Sequence, residues 1–287
     1  MNPRRLLLPV ILLALISLSC SITVNLPRID TGDLVTDDIR VPLLDDVDAV
    51  AEVRLNFSAG ELNLEPGTDA YLISGTATYN VPELKPEITV RGSEVVIAQE
   101  DEGFDFIPIL GGDFENVWDL KLGKVPIELV IAAGGYRGDF ELGGLSLRSL
   151  RIAEGGSETE LSFSEPNREE MDLLRYETGA SKVTATGLAN ANFTRMEVVS
   201  GAGDYTLDFS GELQRDASVN IKTGLSSVEV IVPPRTAARL RISGGLSNVN
   251  LEGEWRSSGG EYLLDGEGPL LTITVEMGAG NLDLRTG

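Results

Sequence analysis

Chemistry in this chain has to be done with carboxylates, because the sequence holds 45 Asp and Glu residues, no histidine and one cysteine. Without histidine, the usual proton shuttle near neutral pH and the commonest nitrogen ligand of zinc are missing. Zinc, haem and Ser-His-Asp chemistry are thereby excluded. Two acids flanking a sugar hydrolyse a glycoside when they stand about 5 to 10 Å apart in a groove. Alternation along strands offers two such pairs, Asp204 with Asp208 and Glu229 with Glu252 across neighbouring strands. In so acidic a chain, chance proximity is the plainer account of both.

The remaining constellations point the same way. Acidic β-rolls hold calcium through Asp at fixed places in glycine-rich nonapeptides or through an Asp-x-Asp-x-Asp-Gly loop, and neither occurs. Asp45-Asp46 with Asp48, and Asp101-Glu102 with Asp105, are expected to be solvated charge. Gly111-Gly112 and Gly143-Gly144 lack the Lys-Ser/Thr of a phosphate loop. Arg239 and Arg241, following Pro234-Arg235, are expected to pair with nearby carboxylates. No cofactor and no metal are expected, and a formal net charge of −22 repels nucleic acid. The one concentration of side chains suited to recognition is aromatic: Phe104, Phe106, Phe114 and Trp118 lie among Asp101, Glu102, Asp105, Asp113 and Glu115. Aromatics with polar neighbours suit sugar stacking or a protein hot spot, and equally a cap over the open end of a coil. These four are taken as the candidate partner surface.

At the N-terminus, Arg4 and Arg5 precede the apolar run Leu6 to Ile16 and then small residues ending at Cys20, the layout of a secretory signal. The apolar run is too short for a membrane-spanning helix, which needs about twenty residues. A lone thiol in an exported protein needs its own explanation. Ser17-Leu18-Ser19-Cys20 resembles the bacterial lipobox, with Ser17 where that motif usually has Leu. The resemblance implies a signal peptide over 1–19 and a lipid on Cys20. The protein would then be exported and held on the extracytoplasmic face of the membrane, with 20–48 as an acidic tether.

The elements that must position any surface residue follow from a repeat. A glycine corner followed by alternating apolar and polar residues recurs, most clearly as Ser58-Ala59-Gly60-Glu61-Leu62, Gly201-Ala202-Gly203-Asp204-Tyr205 and Gly278-Ala279-Gly280-Asn281-Leu282. Gly134, Gly155, Gly179, Gly201, Gly224 and Gly244 are separated by 21, 24, 22, 23 and 20 residues. Period two after each marker means strand with one face buried. Two-residue hairpin signals are few, Asp265-Gly266 being the main one. The pattern therefore predicts an all-β, glycine-punctuated solenoid, like a parallel β-helix, with rungs of about 20–24 residues stacked on one another. Helices are expected to be scarce, with only a short turn over Glu169–Tyr176. An N-terminal β domain is expected over 49–132, with an irregular insert near 101–124, and a repetitive solenoid over 133–287.

Val53 to Gly60, Thr76 to Val90 with its Tyr79-Asn80-Val81-Pro82 and Pro86-Glu87-Ile88, and Trp118-Asp119-Leu120 followed by Val125-Pro126-Ile127 resemble the bacterial toast-rack domain family. That resemblance implies stacked strands in envelope-associated proteins. A related group, the cell-wall-active antibiotic response proteins, joins a similar β part to membrane helices that this chain lacks. The resemblance brings no catalytic motif. The function expected is non-catalytic: an envelope lipoprotein acting in adhesion, scaffolding or stress sensing, partnered by an envelope protein or a cell-wall polymer. The alternative is a carbohydrate-active β-helix enzyme, a lyase or glycosidase working with surface carboxylates.

Overall fold

A computed structural model describes residues 31–46, 49–99, 114–245 and 248–287. In chain order the strands are β1 (Val35–Pro42), β2 (Ala51–Pro66), β3 (Tyr71–Tyr79), β4 (Glu87–Arg91), β5 (Glu94–Ala98), β6 (Asn116–Leu122), β7 (Pro126–Glu141), β8 (Ser146–Ser162), β9 (Met171–Thr186), β10 (Phe193–Asp208), β11 (Ala217–Val232), β12 (Arg235–Gly244), β13 (Asn248–Glu252), β14 (Arg256–Ser258), β15 (Glu261–Leu264) and β16 (Gly266–Thr286). All lie in one sheet. β2, β7, β8, β9, β10, β11 and β16 stack in parallel in that order. This is the expected all-β solenoid.

Each long strand is bent once. In β10 the inward residues are Met196, Val198 and Ser200 before the corner, then Tyr205 and Leu207 after it. In β2 they are Val53, Leu55 and Phe57, then Leu62 and Leu64. The parity changes because the corner absorbs one extra residue, as a bulge does. Both arms therefore turn their apolar side to the same interior. Short returns such as 142–145 and 187–192 close each rung, and Leu142, Leu145, Leu188 and Ala191 on them are buried. Asparagines tie the returns together. Asn167 pairs with the backbone of Leu147 in both directions, its Oδ1 accepting from N at 2.8 Å and its Nδ2 donating to O at 2.7 Å. Asn190 Nδ2 donates to Phe163 O at 2.9 Å.

The corners stack with backbone on backbone. The pairing sets Gly134, Gly155, Gly179, Gly201, Gly224 and Gly278 directly over one another. A Cβ on Gly201 would meet the carbonyl oxygen of Gly179 at 2.6 Å, and one on Gly278 that of Gly224 at 2.7 Å. Gly203 adds a conformational demand, with φ at +138° and the Ser181 carbonyl against the site its Cβ would take. The three clearest sequence copies of the corner are those whose last glycine, Gly60, Gly203 or Gly280, has positive φ.

The structure departs from the sequence expectations in several places. The last repeat step is not a rung: Gly224 stacks on Gly278, and Gly244 pairs with Met277, because β16 inserts between β11 and β12. β16 has inward apolar residues on both arms, Leu271, Ile273, Val275, Met277, Leu282 and Leu284, whereas β13 is almost wholly exposed. The strand with more to bury takes the inner level. Within the segment expected to be tether, Val35–Pro42 is strand β1, held to β3 because Ile39 and Val41 have a core to enter. Asn116–Leu122, expected inside an irregular insert, is the regular strand β6. The turn expected at Glu169–Tyr176 is largely the start of β9, since Met171, Leu174 and Tyr176 are buried. The boundary expected at 132/133 falls inside β7, and one core cluster runs through it from Ile39 to Leu284. The two-residue turns are Gly92-Ser93, between β4 and β5, and Gly259-Gly260, between β14 and β15.

Glu141 clasps two successive returns. Its carboxylate accepts from Gly143 N at 2.6 Å, Ser162 Oγ at 2.6 Å, Ser164 N at 3.2 Å and Ser164 Oγ at 3.0 Å. Burial works to raise its pKa, but these hydrogen bonds together outweigh it and hold the carboxyl below its usual range. A depressed folded pKa contributes stability that is complete above the unfolded value and disappears as pH falls through the folded one. Glu141→Gln is thus expected to cost about 1 to 2 kcal/mol at pH 7 and progressively less below about pH 4.5, as read by urea melts across pH. Gly203→Ala is expected to cost about 2 to 4 kcal/mol. Gly32→Ala is the control: its added Cβ meets nothing closer than 3.7 Å, and it should be near neutral in the same melts.

Candidate interaction surface

Outward residues fall in rows because parallel strands in register set like positions side by side, about 4.8 Å apart. On the arm before the corner, Glu94, Glu52 and Glu128 stand abreast on β5, β2 and β7. In the next outward row Arg54, Val130 and Arg151 stand abreast on β2, β7 and β8. These residues, with Ser149, line an open depression of about 330 Å³. Among the described residues neither Arg54 nor Arg151 forms an ion pair, whereas the neighbouring Arg175 is held by Glu177 and Glu197, each at 2.5 Å.

The arm after the corner is arranged differently. Glu61, Arg137, Glu158, Lys182 and Asp204 alternate in sign along one row. Glu158 pairs with Arg137 at 2.9 Å and Lys182 at 3.1 Å. Hydrogen bonds from those two cations hold its carboxyl below the usual range. The proposed pair Glu229 and Glu252 is separated by Arg285, which contacts them at 2.7 and 3.0 Å. Asp204 and Asp208 lie four residues apart on one arm, roughly 13 Å at strand rise, beyond the span of a glycosidase pair. Arg239 and Arg241 both pair with Glu261, as expected.

The aromatic stretch divides. Phe104, Phe106 and Cys20 lie outside the described residues. Phe114 is partly buried against Tyr79, Val81 and Leu84. Trp118 is no surface residue: it is fully buried on the inward side of β6, its ring edge-on to Phe57 at 5.1 Å. Alternation explains this, since Asn116, Trp118, Leu120 and Leu122 all point inwards. Where β5 leaves and β6 arrives, Gln99 and Asn116 replace a glycine corner. Gln99 accepts from Ser58 N at 2.9 Å and donates to Asn116 Oδ1 at 3.0 Å, while Asn116 donates to Ala59 O.

A polar group without any sequence signature lies inside the corner. Glu154 accepts from Tyr136 Oη at 2.6 Å, Ser157 Oγ at 2.5 Å and Ser181 Oγ at 2.9 Å, and Thr178 pairs with Ser181 at 2.5 Å. Burial first, then neighbouring negative charge, pushes the Tyr136 and Tyr176 hydroxyls well up. They stay protonated and offer no acid or base near neutral pH. No group of three or more acids that could hold a metal occurs among the described residues.

The family model described as the N-terminal domain of toast_rack, DUF2154, matches residues 30–185, more than half of the chain. A solved candidate cell adhesion protein from Clostridium sporogenes is 19% identical, with 89% of this chain and 100% of that one covered and a TM-score of 0.48. A candidate adhesin from Bacteroides fragilis is 11% identical, covering 90% and 99% at a TM-score of 0.40. A candidate lipid-binding protein from Parabacteroides distasonis is 14% identical, covering 89% and 99% at 0.39. No curated protein sequence matches the chain.

Core and surface roles for the aromatics separate by truncation. Trp118→Ala is expected to lower stability by about 3 to 5 kcal/mol, and Phe114→Ala, only partly covered, by clearly less. Equal and small losses in denaturant melts would return Trp118 to the surface.

Proposed function

The chain belongs to the toast-rack family, and from that premise we propose that it is a non-catalytic envelope module that binds its partner through the outward face of the first arm. The observation carrying this reading is the parallel register from β2 to β16, shifted once between Ile127 and Glu128, which holds outward side chains in rows beside an open depression. A rigid face needs little ordering to bind, so affinity is not spent on side-chain entropy. Arg54 and Arg151, flanking Val130 and without ion pairs among the described residues, suit carboxylates repeated along a cell-wall polymer or an acidic protein segment. Adhesion or scaffolding needs only such a fixed face.

Anchoring is part of the proposal. A lipid on Cys20 would hold the module at the membrane, with the solenoid facing away from the cytoplasm. Because the chain is strongly acidic, binding should be governed by the local row of charges and weaken with salt.

A second reading has one specific observation behind it: Glu52 and Glu128 are side by side at strand spacing, close to the separation of a retaining glycosidase pair. The open depression argues against it, since such catalysis works in a groove that strengthens electrostatics by excluding water.

The test uses isolated cell walls and polygalacturonate as probes, at low and physiological salt. Arg54→Ser with Arg151→Ser is expected to weaken binding about tenfold or more with melting unchanged, and Cys20→Ala to move the protein out of the membrane fraction with binding intact. Loss of reducing-end release in Glu128→Gln, with binding retained, would instead establish the enzyme.

A further inference from the structure

We infer that the edge strand β4 pairs with β4 of a second copy of this chain, antiparallel about a two-fold axis through Thr89. The core face of the sheet runs one strand beyond its cover at this point. Val95 and Ile97 of β5 are fully buried, yet their cross-strand neighbours Val90 and Ile88 are 52% and 40% exposed. All five residues of β4 are exposed, and among the described residues its sole ladder is to β5. An edge with free backbone groups and uncovered apolar side chains is a template for another strand.

The backbone of this edge is oriented for pairing. The two-residue turn Gly92-Ser93, with Gly92 at φ +62°, makes Arg91 and Glu94 the hydrogen-bonded pair beside the turn. Alternation of an antiparallel ladder then turns the amides and carbonyls of Ile88 and Val90 away from β5. Across a two-fold at Thr89, Ile88 meets Val90 of the second copy as a hydrogen-bonded pair, and Val90 meets Ile88 likewise. Thr89 faces Thr89 at the close, non-hydrogen-bonded position.

Side chains choose the direction. Antiparallel pairing puts Glu87 opposite Arg91 at both ends on the outward face, and joins the four apolar side chains on the core face. Opposite-charge, Thr-Thr and apolar cross-strand pairs each favour association. Parallel pairing would set Glu87 beside Glu87 and Arg91 beside Arg91. A slip by one residue would turn the apolar pair to the wrong face. Among the described residues neither Glu87 nor Arg91 is already engaged in an ion pair. The other edges lack this self-complementarity: β1 carries Asp37 and Asp38 and ends at Pro42, β14 is three residues long, and β13 has no cation to face Glu252, which already pairs with Arg285.

Five residues a side make a small interface, of the size class of weak and transient contacts. Holding copies on one surface raises their effective concentration and makes such a contact count. The chain's net charge opposes association, so the dimer should strengthen as salt screens that repulsion.

The test is self-crosslinking of the full chain in cells. Facing Cα atoms at a non-hydrogen-bonded antiparallel pair stand about 4.5 Å apart, within disulfide reach. Thr89→Cys with a mild oxidant is expected to give a covalent homodimer that the native chain, whose one cysteine is Cys20, does not give. Adding Glu87→Arg should cut the yield about fivefold to tenfold, and adding Arg91→Glu to that should restore it. Restoration excludes a folding defect as the cause of the loss. A homodimer indifferent to both charge changes, an equal yield from Asp265→Cys on a different surface, or a crosslink only to another protein would each overturn the inference.

Discussion

The close approach of backbone at the corners is the constraint on which the rest of this structure depends. Parallel strands lie about 4.8 Å apart, and at the bend the carbonyl of one rung occupies the space a side chain on the next would need. Gly155, Gly179, Gly201, Gly224 and Gly278 each sit over the carbonyl of the preceding corner. A ladder of residues that tolerate no Cβ pins the register, because sliding any strand would bring a side chain into that column. Register then decides everything outward and inward, since a shift of one residue exchanges the two faces.

Bending the strand there has a polar consequence inside. The parity change turns two positions three residues apart towards the interior, and no long apolar side chain fits both. The chain solves this in two ways. It uses hydroxyl pairs, Thr178 with Ser181 and Thr223 with Ser226, which satisfy each other. Or it places glycine second, as in Ser200 with Gly203 and Met277 with Gly280. Glu154 with Ser157 is the charged version, and its carboxylate is accommodated by three hydroxyl donors. Buried polar atoms are tolerated when they are paired, and costly when they are not.

What was legible in the sequence follows the same division. The period was readable because the column is written as glycine at each rung from β7 to β16, Ser58 standing in it on β2, and the strand faces were readable because alternation is local. The stacking order at the C-terminal end was not, because Gly244 follows Gly224 in sequence while Gly278 follows it in space; only a comparison of how much β16 and β13 bury would have separated them. Trp118 was misjudged although the signal was present: Asn116, Trp118, Leu120 and Leu122 alternate with Val117, Asp119 and Lys121, and that is a strand with its tryptophan inside. Val35–Pro42 hid among acids, with only Ile39 and Val41 marking it. The row of Arg54, Val130 and Arg151 had no sequence signature, since three residues on three rungs become neighbours only once register is known.

Charge placement on the finished surface then narrows what the faces can do. An acidic chain with few cations has to spend them well: Arg285 stands between Glu229 and Glu252, Arg175 between Glu177 and Glu197, and Glu158 joins Arg137 to Lys182. Exposed pairs of this kind contribute little stability individually. On the second arm, the pairs made by Glu158 and Arg285 cancel much of the local potential. Against that background, the first arm keeps Arg54 and Arg151, without ion pairs among the described residues, beside three abreast glutamates, a charge pattern that the registered strands hold in place. Under the proposed function, recognition depends on where charge is left unpaired rather than on how much charge the chain carries.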